Sequence, residues 1–355
     1  MPMKTTVTRT AVWFGSHGVD CAGSLYRPAD TQGNLPCVVL AHGTAGTMDR
    51  LVVYAEPFAA AGLAVLVFDY RGWGASDGRP RQVIDIAGQL DDWRAAIAFA
   101  RGLDGVDPDR IALWGSSLSG GHVVALAAED PRIAAVVAQV PWFGDARTAG
   151  QKLRQLLQVS TIKLVTAGIR DALRGARGRP PYLVPIVGEP GQTALFTGPE
   201  VREALEAKGL EGSLWRNEFA PRFVFALPRY RPGRVANRLE MPLLVCAADG
   251  DRETPADFAA RVVERAPRGE LRRYPANHFE MYHGEMLRRV IADQLEFLER
   301  HLQPAIRSAW EPRGGDLSSE TAEHTAHTSR PSRIHQLTHD AAGCPSGSKW
   351  GTPCG

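Results

Sequence analysis

A short apolar run at Ile111–Trp114 leads into a segment of mostly small residues, Gly115–Gly121, and then into an apolar stretch that begins at His122. The first run predicts a buried strand, and the last stretch predicts a helix. A serine between such a strand and helix, with small residues two positions before and after it, is typical of a sharp, strained turn. Such a turn exposes the serine oxygen above a sheet. This turn constrains the fold more than any other segment, because the residues packed against it must be tiny.

Two serines fit the turn. Ser117 would be flanked by Gly115 and Ser119, whereas Ser119 would be flanked by Ser117 and Gly121. We favour Ser117, because the apolar strand ends at Gly115 and the turn should follow at once. A turn rich in glycine and serine that carries no chemistry is the alternative interpretation.

The turn resembles the Gly-x-Ser-x-Gly motif of α/β-hydrolases, with Ser119 in the place of the last glycine. The segment Asp69–Ser76 resembles the Asp-x-Arg-Gly-x-Gly-x-Ser loop that follows a central strand in many of these proteins. The pair His42-Gly43 resembles the His-Gly pair that precedes an oxyanion-hole residue in the family. The resemblance spans residues of about 7–302 and implies the α/β-hydrolase fold.

The order of apolar runs and helical patterns gives the domain organisation. Buried strands alternate with helices, which predicts an α/β fold with a mostly parallel, doubly wound sheet. We expect a hydrolase core in two parts, residues 1–141 and 240–302. Residues 142–239 break the alternation and carry many aromatic side chains, which indicates an inserted, mainly helical cap. Residues 303–355 are poor in apolar residues and predict a disordered C-terminal tail.

The resemblance also implies a Ser-His-Asp triad in the chain order serine, acid, histidine. Ser117 is the expected nucleophile. In the family the acid usually lies four residues before a proline that opens a helix, and here this rule selects Asp251, ahead of Pro255. Asp249 and Glu253 are the alternatives.

The base follows the last strand in the family, and His278 occupies that place here. His283 is the competing histidine. A metal site made of His278, Glu280 and His283 is disfavoured, because the spacing is not His-Glu-x-x-His. We therefore expect neither a metal nor a cofactor.

Two backbone N–H groups form the oxyanion hole in the family, and they map onto Thr44 and Leu118. His42, beside Thr44, is expected to hold the loop rather than to transfer protons. We expect apolar residues of the cap and of the loop after the last strand to contact the substrate. The candidates are Trp142, Phe143, Trp215 and Met281.

Composition excludes several classes of partner. The net charge of the 355 residues is only +2, which argues against binding to nucleic acid or an anionic membrane. No apolar run approaches the roughly 18 residues of a transmembrane helix, and the first residues lack the apolar core of a signal peptide. The five cysteines show neither a disulfide framework nor a zinc spacing. We expect a cytoplasmic protein, and the sequence leaves its oligomeric state open.

The expected function is hydrolysis of a carboxylic ester in a small-molecule acyl substrate. The segments Trp215–Glu218 and His278–Tyr282 are similar to those of dienelactone-hydrolase-like, Xaa-Pro peptidase-like and serine aminopeptidase-like members of the superfamily. Their neighbourhood also includes fungal polyketide-pathway enzymes. A peptidase, an acyltransferase and a non-catalytic receptor or scaffold of the same fold are the alternative functions.

Overall fold

The computed structural model describes residues 5–29, 33–146, 150, 159–197, 201 and 213–303. Within these residues, eight strands form a central sheet and two short strands form a separate pair. In chain order the strands are β1 Val7–Ser16, β2 Val19–Pro28, β3 Leu35–Ala41, β4 Ala64–Phe68, β5 Val106–Ser116, β6 Ile133–Gln139, β7 Val187–Gly188, β8 Phe196–Thr197, β9 Leu243–Ala248 and β10 Gly269–Tyr274.

The strands of the central sheet lie in the order β1-β2-β4-β3-β5-β6-β9-β10. The first two pairings, β1 with β2 and β2 with β4, are antiparallel, and all the others are parallel. Strands β3, β4 and β9 are buried along their whole length, as expected for parallel strands covered on both faces. The prediction of a mostly parallel, doubly wound sheet is confirmed.

Helices cover both faces of this sheet. In the described residues they are α1 Val52–Ala60, α2 Ile86–Arg101, α3 Leu118–Ala127, α4 Val159–Ala176, α5 Ala256–Val263 and α6 Gly284–Leu302. Alternate side chains of a strand point to opposite faces. Val39 of β3 therefore joins the apolar cluster under α2, α3 and α5, whereas Val38 joins the cluster under α1 and α6.

The chain leaves the core after β6 and re-enters it at β9, which are neighbours in the sheet. The described part of this insertion contains α4, the β7–β8 pair and three 3₁₀ helices, Pro221–Phe225, Leu227–Arg229 and Pro232–Arg238. Residues 202–212 of the predicted helical cap fall outside the described residues, and so does the predicted tail, apart from Gln303. No helix in the described ranges is both long and apolar enough to span a membrane.

An ion pair joins α4 to the first of these 3₁₀ helices. The guanidinium of Arg222 donates to both oxygens of the buried Asp171 carboxylate, at 2.7 Å each. The backbone N–H groups of Tyr182 and Arg222 donate to the same carboxylate. Burial opposes ionisation, but these donors prevail and hold the pKa of Asp171 below its ordinary value. The pair therefore fixes α4 against the segment that leads back to the core.

Candidate active site

Ser117 lies in the tight turn between β5 and α3. Its backbone has φ 53° and ψ −118°, a region that non-glycine residues rarely adopt. Two hydrogen bonds hold this strained conformation: the Ser117 N–H donates to the Gln139 carbonyl at 2.9 Å, and the Trp142 N–H donates to the Ser117 carbonyl at 2.8 Å. The end of β6 and the residues just after it therefore clamp the turn. Ser117 is half-buried, while its neighbours Ser116 and Ser119 are buried.

Small residues around the turn are required by close packing. A Cβ on Gly115 would lie 2.3 Å from the Ser119 carbonyl oxygen, and a Cβ on Gly121 would lie 2.3 Å from the Trp142 carbonyl oxygen. Both distances are far below van der Waals contact. The glycines of the sequence pattern thus allow the strand, the helix and the start of the insertion to meet at this point.

The hydroxyl of Ser119 is already used inside the protein. It lies 2.9 Å from the Tyr70 hydroxyl, and the Trp93 indole N–H donates to that same Tyr70 oxygen at 2.7 Å. The Tyr70 oxygen accepts from Trp93, and either hydroxyl can be the donor in the contact between Tyr70 and Ser119. This buried chain of hydrogen bonds gives Ser119 a packing role, and it favours Ser117 as the reactive serine.

Asp251 and His278 meet at the carboxyl ends of β9 and β10. The His278 Nδ1 lies 2.7 Å from Asp251 Oδ2, so the ring donates from Nδ1 to the carboxylate. The backbone N–H groups of Glu253 and Thr254 donate to the other carboxylate oxygen, at 2.8 and 2.7 Å. Burial opposes ionisation of Asp251, but His278 and the Thr254 donors hold its pKa below the ordinary value. Asp251 is therefore ionised at neutral pH.

Thr254 is a site residue that the sequence analysis missed. Its hydroxyl lies 2.7 Å from Asp251 Oδ2 and 3.0 Å from the Val140 carbonyl oxygen. Val140 directly follows β6 and has a φ of 37°. Thr254 therefore links the acid to the strand end that also clamps Ser117. The sequence does contain a pattern that points to Thr254: a threonine lies three residues after an aspartate in a turn. Side chains at this spacing often form local hydrogen bonds.

The alternative acids and the alternative histidine lie elsewhere. The exposed Asp249 pairs with Arg273 at 2.6 Å. Glu253 is exposed, and His283 is exposed at the start of α6. The contact with His278 is thus made by the carboxylate that precedes Pro255 by four residues.

The hydrogen bonds that the described residues make to the His278 ring both use Nδ1. Nε2 is therefore not used by these two hydrogen bonds. Within the described part of the chain, Ser117 Oγ makes no hydrogen bond to that ring.

The loop after β3 packs directly against the serine turn. A Cβ on Gly43 would lie 2.9 Å from the Ser116 carbonyl oxygen and 3.0 Å from the Ser117 Cβ. Thr44, the next residue, is half-buried. Leu118 is the first residue of α3, so its N–H has no carbonyl partner within the helix. The two expected oxyanion donors therefore belong to segments that meet at Ser117.

Gly43→Ala should lower kcat on a p-nitrophenyl ester by about 10²-fold or more, the usual effect of losing one oxyanion donor. The added methyl group must push the loop away from the turn, and Thr44 moves with it. Gly15→Ala is the control, because a Cβ there meets nothing within 4 Å. Thermal unfolding of both variants separates a local effect from loss of the fold. A Gly43→Ala enzyme within twofold of wild type would contradict this account of the loop.

His42 and Asp69 hold the two ends of the same loop. The His42 Nδ1 donates to the Gly43 carbonyl at 2.9 Å, and burial lowers the pKa of His42 to about 4. The Asp69 carboxylate accepts from the backbone N–H groups of Met48 and Ala75, at 2.7 and 2.9 Å. His42 is therefore neutral at pH 7 and fixes the loop, in agreement with the structural role expected for it.

Two of the four expected substrate contacts need correction. Met281 has no exposed surface and belongs to the apolar cluster between the sheet and α1 and α6. Phe143 is 2% exposed and packs against Gly233, which donates its N–H to the Phe143 carbonyl. Both are packing residues in this structure. A sequence pattern cannot separate them from a pocket wall, because both environments are apolar.

Trp142 and Trp215 have more specific surroundings. The buried Trp142 Nε1 has no hydrogen-bond partner among the described residues, although its backbone N–H binds Ser117. Trp215 instead donates its indole N–H to the Ala45 carbonyl, in the loop after β3, at 2.9 Å.

Within the described residues, no group of three or more His, Cys, Asp or Glu side chains is placed to hold a metal ion.

The sheet order, the strained serine after β5 and the carboxylate–histidine pair after β9 and β10 define an α/β hydrolase. The chain belongs to the serine aminopeptidase S33 family, whose model matches residues 34–285. Family membership makes it a hydrolase of the serine type. The expected resemblance and the expected class of enzyme are confirmed.

Several known proteins and solved structures are similar to this chain. The quorum-quenching protein AidA of Acinetobacter baumannii is 42% identical over 290 residues, covering 81% of this chain and 94% of that protein. The thiohydrolase aneE of Aspergillus aculeatus is 30% identical over 208 residues, covering 58% and 62%. Among solved structures, the DcsB complex with its substrate analogue has a TM-score of 0.70 at 23% identity and covers 83% of this chain and all of that one. At that identity the structural likeness supports the fold alone.

Proposed function

We propose that this chain hydrolyses acyl esters or thioesters through an acyl-enzyme formed on Ser117. The observation that carries the proposal is the 2.7 Å hydrogen bond from His278 Nδ1 to the ionised Asp251, at the same end of the sheet as the strained Ser117 turn. This bond fixes the ring tautomer with the proton on Nδ1. The other nitrogen, Nε2, is then a base for the serine hydroxyl.

In the first half of the reaction, Ser117 Oγ attacks the carbonyl carbon of the substrate while His278 Nε2 takes the hydroxyl proton. The C=O bond opens, and the oxyanion accepts hydrogen bonds from the N–H groups of Leu118 and Thr44. The carbon–oxygen or carbon–sulfur bond to the leaving group then breaks. His278 returns its proton to that group, which departs as an alcohol or thiol and leaves an ester on Ser117.

In the second half, water replaces the leaving group. His278 Nε2 takes a proton from water, the hydroxide attacks the acyl carbonyl, and the same two N–H groups hold the second oxyanion. Collapse releases a carboxylic acid and restores the Ser117 hydroxyl. Asp251 stays ionised throughout and balances the positive charge that forms on His278.

Two relatives guide the substrate class. One relative is a quorum-quenching protein and another is a thiohydrolase. We therefore favour a small acylated signal molecule or an acyl thioester as the substrate.

Labelling with a fluorophosphonate probe tests the proposal most directly. We expect one adduct, which peptide mapping places on Ser117, and turnover of a panel of linear esters, thioesters and lactones by the unlabelled protein. Failure to label, together with no turnover in the panel, would refute the enzyme mechanism and favour a non-catalytic receptor or scaffold. An adduct on Ser119 would refute the assignment of the serine.

A peptidase is the second candidate, favoured by the family description as serine aminopeptidase. The same groups would then cleave an amide, and faster turnover of an aminoacyl p-nitroanilide than of matched esters would identify it. Transfer to an added alcohol, amine or thiol would instead identify an acyltransferase.

We also propose that the protein acts in the cytoplasm, where its three described cysteines, all free and buried, would stay reduced.

A further inference from the structure

Ala45 lies at the middle of the loop that carries Thr44, and its backbone is strained. Its φ is 58°, in the left-handed region that residues with a Cβ avoid. Such a conformation persists only where the surroundings hold it. His42 and Asp69 hold the two ends of the loop, through the Gly43 carbonyl and the Met48 N–H.

The insertion supplies the contact at the middle of the loop. Trp215, 170 residues further along the chain, donates its indole N–H to the Ala45 carbonyl at 2.9 Å. The guanidinium carbon of Arg50 lies 4.9 Å from the centroid of the same indole ring. The Trp215 ring therefore contacts the Arg50 guanidinium while its N–H binds the loop. The contact with Arg50 restricts the orientation of the ring and so helps to keep the N–H pointed at the Ala45 carbonyl.

We propose that Trp215 is a positioning residue for the oxyanion hole, acting through the Ala45 carbonyl. This inference rests on the proposed function of Thr44 as an oxyanion donor. If the Ala45 carbonyl were released, Ala45 could return to an ordinary negative φ, and this change would displace the adjacent Thr44 together with its N–H. The contact between Trp215 and Ala45 and a working oxyanion hole would then depend on each other. Trp215 is therefore assigned to the loop, instead of to the substrate contact expected from the sequence.

A second contact between the insertion and the core provides a matched control. The Gln82 side-chain amide donates to the Glu218 carbonyl at 2.8 Å, and the Ala220 N–H donates to the Gln82 carbonyl at 2.8 Å. Glu218 and Ala220 lie three and five residues after Trp215 in the insertion, but they contact the loop after β4 and not the loop after β3. Gln82→Asn shortens the donor while keeping a residue type that tolerates the observed φ of 62°.

Trp215→Phe removes the N–H and keeps an aromatic ring beside Arg50. We expect kcat on a short p-nitrophenyl ester to fall roughly tenfold, in proportion to one lost hydrogen bond, with KM changed less than threefold. Affinity for a trifluoromethyl ketone, whose adduct places an oxyanion in the same hole, should fall by the same factor. Gln82→Asn should leave both quantities within twofold of wild type.

Hydrogen–deuterium exchange supplies a readout that does not depend on activity. Trp215→Phe should raise exchange in the peptide that spans Thr44–Met48, and Gln82→Asn should not. Unchanged exchange, or a rise in KM that grows with acyl length while kcat is constant, would overturn the inference and make Trp215 a substrate wall. Wild-type protein without Ser117-dependent turnover would instead overturn the proposed function, and the exchange result would still decide the role of Trp215.

Discussion

Ser117→Ala should lower kcat/KM for a p-nitrophenyl ester by about 10³-fold or more, because the proposed acyl-enzyme forms on the Ser117 hydroxyl. The remaining rate would reflect substrate binding and the oxyanion donors alone. The fold should survive, since the clamp on this turn is made by backbone groups of Gln139 and Trp142. Steady-state kinetics together with thermal unfolding of the variant give the measurement.

Ser119→Ala is the matched control for this experiment. It removes a hydroxyl of the same kind two residues away, and with it the hydrogen bond to Tyr70. We expect a stability loss of about 1–3 kcal/mol, because the buried Tyr70 hydroxyl loses its hydrogen bond to Ser119, and most of the activity should remain. The reverse pattern, with Ser119→Ala inactive and Ser117→Ala active, would show that the wrong serine has been assigned.

Asp251→Asn should lower kcat by about 10³- to 10⁴-fold, the usual effect of replacing a triad acid by its amide. Two backbone N–H groups hold one side-chain oxygen, so the new NH₂ group would replace the oxygen that faces His278 Nδ1. That ring would then have to present an unprotonated Nδ1 and carry its proton on Nε2. Nε2 could no longer accept the Ser117 proton.

Asp249→Asn is the control for the acid. This carboxylate is exposed and pairs with Arg273, so its loss should change activity less than twofold and stability by less than about 1 kcal/mol. Both variants are compared by kcat and KM with the same ester. Similar activity in the two variants would remove the assignment of Asp251.

The sequence predicted those features that leave a local pattern. Buried parallel strands appear as continuous apolar runs, and the serine turn appears as a strand followed by small residues, so the sheet and Ser117 could be placed. Asp251 and His278 followed from a resemblance in chain order. Their direct hydrogen bond could only be seen in the structure.

Pairings between distant residues leave no such pattern. The contacts of Ser119 with Tyr70 and of Trp215 with Ala45 span 49 and 170 residues. An apolar side chain also looks the same in sequence whether it fills the core or lines a pocket, which is why Met281 was misassigned. Side-chain roles of this kind depend on packing that only the folded chain defines.

The hydrogen-bonded chain from Trp93 through Tyr70 to Ser119 has a consequence for protein engineering. A designer who restored the glycine of the family motif at this position would be following the consensus of the superfamily. Here that exchange would leave the buried Tyr70 hydroxyl without its hydrogen bond to residue 119, at a cost of about 1–3 kcal/mol. In this chain Ser119, Tyr70 and Trp93 form one hydrogen-bonded unit, so a change at one of these positions alters the stability that the other two contribute.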